Sequence, residues 1–237
     1  VKITILTFRH PVSTGNKKNI FQGKSREDDG LAREGILQAR AIADYLKRYG
    51  VVSIFSSPLK RTLELASEIQ VRHPARLAIN LDDGLAEISH GKKIDGRPFQ
   101  EIKEQHPDEW RKWEAGITDE PAFPDGESIL EVAKRGFKAI SKAKDVTEST
   151  LRKRGEKEGI TVVCSHGGTL AWVLAQINKV PLSMALDVFP LKNGSLSVIV
   201  WEDGWWRTEE VNYTLHLGKW RYTAPLLPPS LFQKKSP

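Results

Sequence analysis

The chain has 237 residues, 39% of them hydrophobic and 28% charged, with a formal net charge of +6 and one cysteine. That is enough apolar material for one sizeable core. A single cysteine excludes an intramolecular disulfide framework and fits a reducing, cytoplasmic compartment. No apolar run reaches the ~18 residues that span a bilayer, no signal-peptide pattern precedes the first apolar run, and the basic excess is spread along the chain instead of forming a nucleic-acid patch.

In chain order, residues 1–8 (VKITILTF) are β-rich and predict a buried strand. Residues 11–30 are polar, contain Gly15, Gly23 and Gly30, and predict a loop. Residues 33–48 predict a helix with Ile36, Ala39, Ala43 and Leu46 inward and Gly50 as its stop. A short strand is expected at 51–56, a helix from Leu59 to Gln70 with Leu59, Leu63, Ala66 and Ile69 inward, and a further strand at 77–81. Strand and helix alternating at this spacing predict βαβ units with a parallel sheet. From about 88 to 125 the alternation stops, and Pro98, Pro107, Pro121 and Pro124 punctuate a segment expected to form a helical cap. Asp125-Gly126-Glu127-Ser128 then opens a long helix burying Ile129, Val132, Ala133, Phe137 and Ile140. A strand at 160–165, which takes in Cys164, and a helix over 169–178 follow. Residues 195–201 and 206–212 form a hairpin around Asp203-Gly204. The expected fold is α/β: a three-layer α/β/α sandwich with a mostly parallel central sheet and an inserted cap. One domain covers 1–218, and 219–237 form an extended tail.

Three motifs fall just past predicted strand ends: Arg9-His10, Ser56-Ser57-Pro58-Leu59-Lys60-Arg61, and Ser165-His166-Gly167-Gly168. Ligands of open α/β sheets bind outside the carboxyl ends of the strands, which brings the three to one rim. Arginine supplies planar, bidentate donors suited to phosphoryl oxygens. A neutral imidazole can attack phosphorus, and nearby guanidinium charges favour that neutral form. The Gly167 and Gly168 N–H groups, opening a helix, are expected to add anion donors.

These motifs resemble those of the histidine phosphatase superfamily, the phosphoglycerate-mutase-like enzymes. Arg9-His10 matches the family's Arg-His-Gly motif, Asn16 its phosphate-contacting asparagine, and Gly23, Gly35, Gln38 and Ala39 the loop and helix that follow. Ser56 to Arg61 and Ser165 to Gly168 match the second arginine and second histidine motifs. Gly126-Glu127-Ser128 with Arg135, and Asn193, also match, so the resemblance runs from about residue 2 to 212. It implies that His10 is the phosphorylated nucleophile and that Arg9, Arg61, His166, Asn16 and Gly167 complete a phosphate pocket. Leu85-Ala86-Glu87 fits the segment carrying the family's proton donor, which implies Glu87 as general acid, with Asp82 and Asp83 as fallback carboxylates.

The resemblance further implies a metal-independent phosphomonoesterase without a cofactor, acting on a small phosphorylated metabolite. Mutases of the family typically carry Glu-Arg-His-Tyr-Gly where this chain has Glu87-Ile88-Ser89-His90-Gly91, which argues against mutase activity. Pro11 replaces the motif glycine. It lacks an N–H and fixes φ, so the pocket wall beside His10 is expected to differ, and a binding protein without turnover is the further alternative. His73, His90, His106 and His216 are expected at the surface, with His90 within reach of the pocket rim. The tryptophans are expected in core and cap, with Trp110 and Trp113 able to reach substrate. Neither nucleic acid nor membrane is an expected partner, and the late hairpin offers a sheet edge for pairing two copies.

Overall fold

A computed structural model describes residues 1–24 and 30–220. Six strands form one mixed sheet in the order β3-β2-β4-β1-β5-β6. In chain order the elements are β1 (Lys2–Arg9), α1 (Thr14–Lys18), α2 (Arg33–Leu46), β2 (Val51–Ser56), α3 (Lys60–Arg72), β3 (Ile79–Leu81), α4 (Phe99–Gln105), α5 (Pro107–Glu114), α6 (Ile129–Arg154), β4 (Glu158–Ser165), α7 (Gly167–Ile177), α8 (Ala185–Val188), β5 (Leu196–Glu202) and β6 (Trp205–Tyr213). Strands β3, β2, β4 and β1 run parallel, and β5 and β6 close one side antiparallel.

Alternation along the central strands divides the core. Ile3, Ile5 and Val163 face α6 and α7, whereas Leu6, Phe8, Val162 and Cys164 face α2 and α3. The three-layer α/β/α expectation holds. Phe21, Trp110, Trp113 and Phe123 extend the first core outward beneath α4 and α5, so the cap shares its apolar packing with the α6 and α7 side. Three hydroxyls inside that face satisfy one another: Ser53 Oγ lies 2.9 Å from Thr147 Oγ1 and 2.7 Å from Thr161 Oγ1. This pairing offsets the cost of burying them.

Helix ends follow local chemistry. Ser128 and Glu131 form a capping box at the start of α6, and Gly155 ends that helix in the left-handed region, as such residues are suited to do. The β5–β6 turn has positive φ at both Asp203 and Gly204, the requirement of a tight primed hairpin turn.

Four expectations need correction. The polar stretch 11–30 contains helix α1, started by a Ser13–Asn16 capping box. Ile36 is 39% exposed, because α2 turns Gly35, Gln38, Ala39 and Ile42 inward. Leu63 is only half-buried, and α3 buries Arg61, Thr62, Leu65, Ala66 and Ile69. Phe137 packs against the core only partly buried. The tail expected at 219–237 lies outside the described residues from 221 onward.

Ile54 is fully buried between α2 and α3. Ile54→Ala is expected to lower the unfolding free energy by about 2–5 kcal/mol, measured by urea denaturation.

Candidate active site

Register brings the motifs together. Arg9 at the end of β1 pairs with Ser165 at the end of β4, and Ser56 at the end of β2 pairs with Cys164. The His10 N–H donates to the Ser165 carbonyl at 2.9 Å and the Ser57 N–H to the Cys164 carbonyl at 3.0 Å. The His10 and His166 rings then lie 5.3 Å apart, centroid to centroid. Arg9, His10, Asn16, Arg61, Glu87 and Gly167 all line one cleft of about 880 Å³, counted with its open mouth. His166 is fully buried behind that surface.

Hydrogen bonds fix the imidazole tautomers. His10 Nδ1 lies 2.7 Å from the Pro11 carbonyl. A carbonyl only accepts, so Nδ1 carries the hydrogen and Nε2 keeps its lone pair. The Arg61 Nε–H donates to His166 Nδ1 at 3.2 Å, which leaves the hydrogen on Nε2, 2.8 Å from Ser57 Oγ. Burial, then Arg61, then Arg9 hold His10 well below the usual histidine range. Burial and then Arg61 do the same to His166. Both rings are therefore neutral at neutral pH.

The proline departure has a structural answer. Pro11 lacks the glycine N–H, but its carbonyl is the group that orients His10. The next residue, Val12, gives its N–H to Gln38 Oε1 at 2.9 Å. Asn193 Nδ2 and the Gly194 N–H both reach the His10 carbonyl, each at 3.2 Å.

Arg9 and Arg61 are nearly inaccessible to solvent. Arg9 Nη1 donates to the Leu191 carbonyl at 2.7 Å, and Arg61 Nη2 to the Gly23 carbonyl at 2.9 Å. Burial pulls Arg9 down to about 10, with Glu87 opposing that shift, and it stays cationic at neutral pH. Arg9 Nε is buried without a hydrogen-bond partner, the condition expected of a donor awaiting an anion. Asn16 is held by the capping box, with Oδ1 accepting from the Ser13 N–H and Asn193 Nδ2. Its amide Nδ2 is the donor it retains.

Glu87 caps α7. Its Oε1 accepts from the Ile88 and Thr169 N–H groups, both at 3.1 Å, while the Thr169 hydroxyl donates to the Ala86 carbonyl at 2.8 Å. Its Oε2 accepts from the Gly168 N–H at 3.2 Å. This corrects the expectation that both glycine N–H groups serve an anion, since Gly168 is committed to Glu87. Both glycines also provide room. A Cβ on Gly167 would lie 3.1 Å from Arg9 Nε, and one on Gly168 would lie 2.8 Å from Glu87 Oε1 and 2.9 Å from the Trp172 ring.

Arg135 fixes the segment that carries Glu87. Its guanidinium donates to the carbonyls of Gly84, Ala86 and Glu87 at 3.0, 2.6 and 3.0 Å, and it pairs bidentately with Glu127 at 2.9 Å on each oxygen. The fallback carboxylates are elsewhere: Asp82 accepts from the Gly84 N–H and Lys142, and neither Asp82 nor Asp83 lines the cleft.

Two histidines expected at the surface are buried. His73 accepts the Ala75 N–H at Nδ1 and lies 3.0 Å from the Tyr49 carbonyl through Nε2, closing the end of α3. His90 lines the cleft and packs edge-on against Phe21 and Trp113, at 4.4 and 4.7 Å between centroids. Burial pushes it down to about 3. Trp113 lines the cleft but Trp110 does not. Trp172, Phe99, Leu186, Phe189 and Leu191 are cleft residues that sequence reasoning missed; nothing in their local pattern separates them from ordinary core. Among the described residues, no group of three or more His, Cys, Asp or Glu side chains is placed to hold a metal ion, and no helix is long and apolar enough to cross a membrane.

The family model of the histidine phosphatase superfamily (branch 1) matches residues 5–214. The chain belongs to the histidine phosphatase superfamily. This histidine phosphatase superfamily member is 31% identical over 225 residues to phosphoserine phosphatase 1 of Hydrogenobacter thermophilus, covering 94% of the chain and 98% of the relative. It is 28% identical over 220 residues to a Yersinia pestis protein described as a probable phosphoglycerate mutase, covering 91% and 95%. Its fold resembles YhfR of Bacillus stearothermophilus, with a TM-score of 0.76, 23% identity and coverage of 91% and 99%. It also resembles a mycobacterial glucosyl-3-phosphoglycerate phosphatase, with a TM-score of 0.75, 23% identity and coverage of 90% and 100%.

Two expectations follow from the electrostatics. Inorganic phosphate raises the melting temperature, by an amount that grows with ligand concentration, and Arg61→Gln abolishes the rise in a thermal-shift titration. Because His10 is depressed in the folded state, the unfolded chain binds more protons below the ordinary histidine value of 6.5. Its contribution to stability is therefore present above pH 6.5 and is lost as pH falls through and below that value. Denaturation midpoints measured from pH 8 to 5 are expected to show a shallower fall in His10→Asn than in the unaltered chain.

Proposed function

We propose that the protein is a phosphomonoesterase that works through a phosphohistidine on His10. The observation that carries this reading is the tautomer: His10 offers an unprotonated Nε2 into a cleft flanked by two buried guanidinium groups. Superfamily membership and the phosphatase names among the relatives support it.

In this reading Arg9, Arg61, Asn16 and the N–H of Gly167 hold the phosphoryl oxygens and offset the charge that develops during transfer. His10 Nε2 attacks phosphorus, a P–N bond forms, and the P–O bond to the alcohol breaks. Glu87 supplies the proton that the departing alkoxide takes. Its Oε2 is the suited oxygen, because among the described residues one N–H meets it where two meet Oε1. Water then attacks the phosphohistidine and gives its proton to Glu87, while the P–N electron pair returns to Nε2. His166, fixed between Arg61 and Ser57, orients the second guanidinium. Binding and charge neutralisation are assigned to side chains, so the reading includes no metal. In this reading the substrate is a small phosphorylated molecule, supported by the cap residues Phe99 and Trp113 lining the cleft.

Mutase activity is the second reading, favoured by the relative described as a probable phosphoglycerate mutase. It requires the phosphoryl group to return to another hydroxyl of bound product. The side chains after Glu87 are Ile88 and a buried, neutral His90, a poor match to the cationic segment of mutases.

His10→Ala is expected to lower phosphate release by at least about 10³-fold, with chelators leaving the unaltered enzyme unchanged. Acid-labile label from a ³²P-ester is expected on His10 after rapid quench. Isomer formation exceeding phosphate release would establish the mutase, and full activity in His10→Ala would sink both readings.

A further inference from the structure

The cleft is chemically divided. Among the described residues lining it, Arg9, Arg61 and Glu87 are the only charged side chains, and all three belong to the phosphoryl end. Most of the remaining lining side chains are apolar. Phe21, His90, Phe99 and Trp113 form one wall, with Phe21 at 4.4 Å from both His90 and Phe99. Leu186, Phe189 and Leu191, on and after α8, form a second apolar wall. Asn19 and Gln22 are the further polar lining residues, and Gln22 Oε1 is already engaged by Ser13 Oγ at 2.6 Å.

His90 is the one group on this wall able to become cationic, and burial among three aromatic rings keeps it neutral. A carboxylate or ammonium on the alcohol half would be desolvated there without an opposite charge on the described residues of these walls, which is costly. An apolar group would replace water on Phe99 and Leu186, both half-buried and open to the cleft.

We infer that the enzyme's substrates are phosphate monoesters of apolar, uncharged alcohols, whose alkyl or aryl group lies between the Phe21–Phe99–Trp113 wall and the Leu186–Leu191 wall. The inference rests on the phosphomonoesterase reading and specifies its substrate class. The two walls and the nucleophile share one continuous cleft, so a phosphoryl group held by Arg9 and Arg61 directs its ester substituent along them.

The test uses the purified full chain and a series of matched leaving-group acidity: ethyl, n-butyl, n-hexyl and 2-phenylethyl phosphates, set against O-phosphoserine and glycerol 3-phosphate. Burial of each methylene is expected to raise kcat/KM about fourfold through the alkyl series. 2-Phenylethyl phosphate is expected to exceed O-phosphoserine by at least about tenfold. Phe99→Ala and Leu186→Ala flatten the alkyl series, and Leu186→Arg shifts preference toward O-phosphoserine. If Phe99→Ala does not fold, the two Leu186 variants and the unaltered chain carry the comparison. A flat alkyl series with O-phosphoserine or glycerol 3-phosphate preferred overturns the substrate class and leaves the phosphatase reading intact. Absence of phosphate release from every ester, with no label on His10, overturns the phosphatase reading and this inference together.

Discussion

Parallel pairing of β1 with β4 is the constraint on which the site depends. The strands are separated by most of the chain, yet Arg9 lies directly beside Ser165. A shift of one residue in that register would turn either Phe8 or Cys164, whichever strand moved, to the opposite face and carry the two histidines apart. The register is held from both sides, by β2 against β4 and by β5 against β1. Core alternation therefore fixes the geometry of the chemistry: the residues that decide which face is buried also decide where His10 points.

Burial of two arginines and two histidines in one place would be unfavourable without compensation. It comes from backbone carbonyls. Leu191 and Gly23 accept from the guanidinium groups, and Pro11 accepts from His10. Carbonyls carry no formal charge, so they satisfy donors without cancelling the positive field. Among the described residues, the result is a cationic pocket with few competing counter-charges, preorganised for an anion. Glu87 is the exception, and Arg135 and the start of α7 hold it at a set position.

Much of this was legible in sequence because it depends on periodic patterns and strand ends. The βα alternation gave the layers, and Arg9-His10, Arg61 and His166 each follow an apolar run. What escaped depends on distance. Gly167 and Gly168 also leave space for Arg9 and Glu87, which no spacing reveals. Ile36 was misplaced because the buried stripe of α2 includes polar Gln38, whose acceptor serves Val12. His90 reads as a surface residue by composition, but a neutral imidazole with aromatic neighbours packs like another ring. Helix α1 was hidden in a polar segment because a five-residue helix rests on its cap and not on an apolar face.

The contact between Glu87 and α7 ties proton movement to a helix end. The start of a helix carries partial positive charge and prefers an anion nearby. In the proposed cycle, delivering a proton to the leaving group turns Glu87 into that anion, and recovering one from water removes it. The helix field thus favours the first transfer and opposes the second. A fixed backbone dipole would then weight the two half-reactions unequally, speeding departure of the alcohol relative to recharging of the acid.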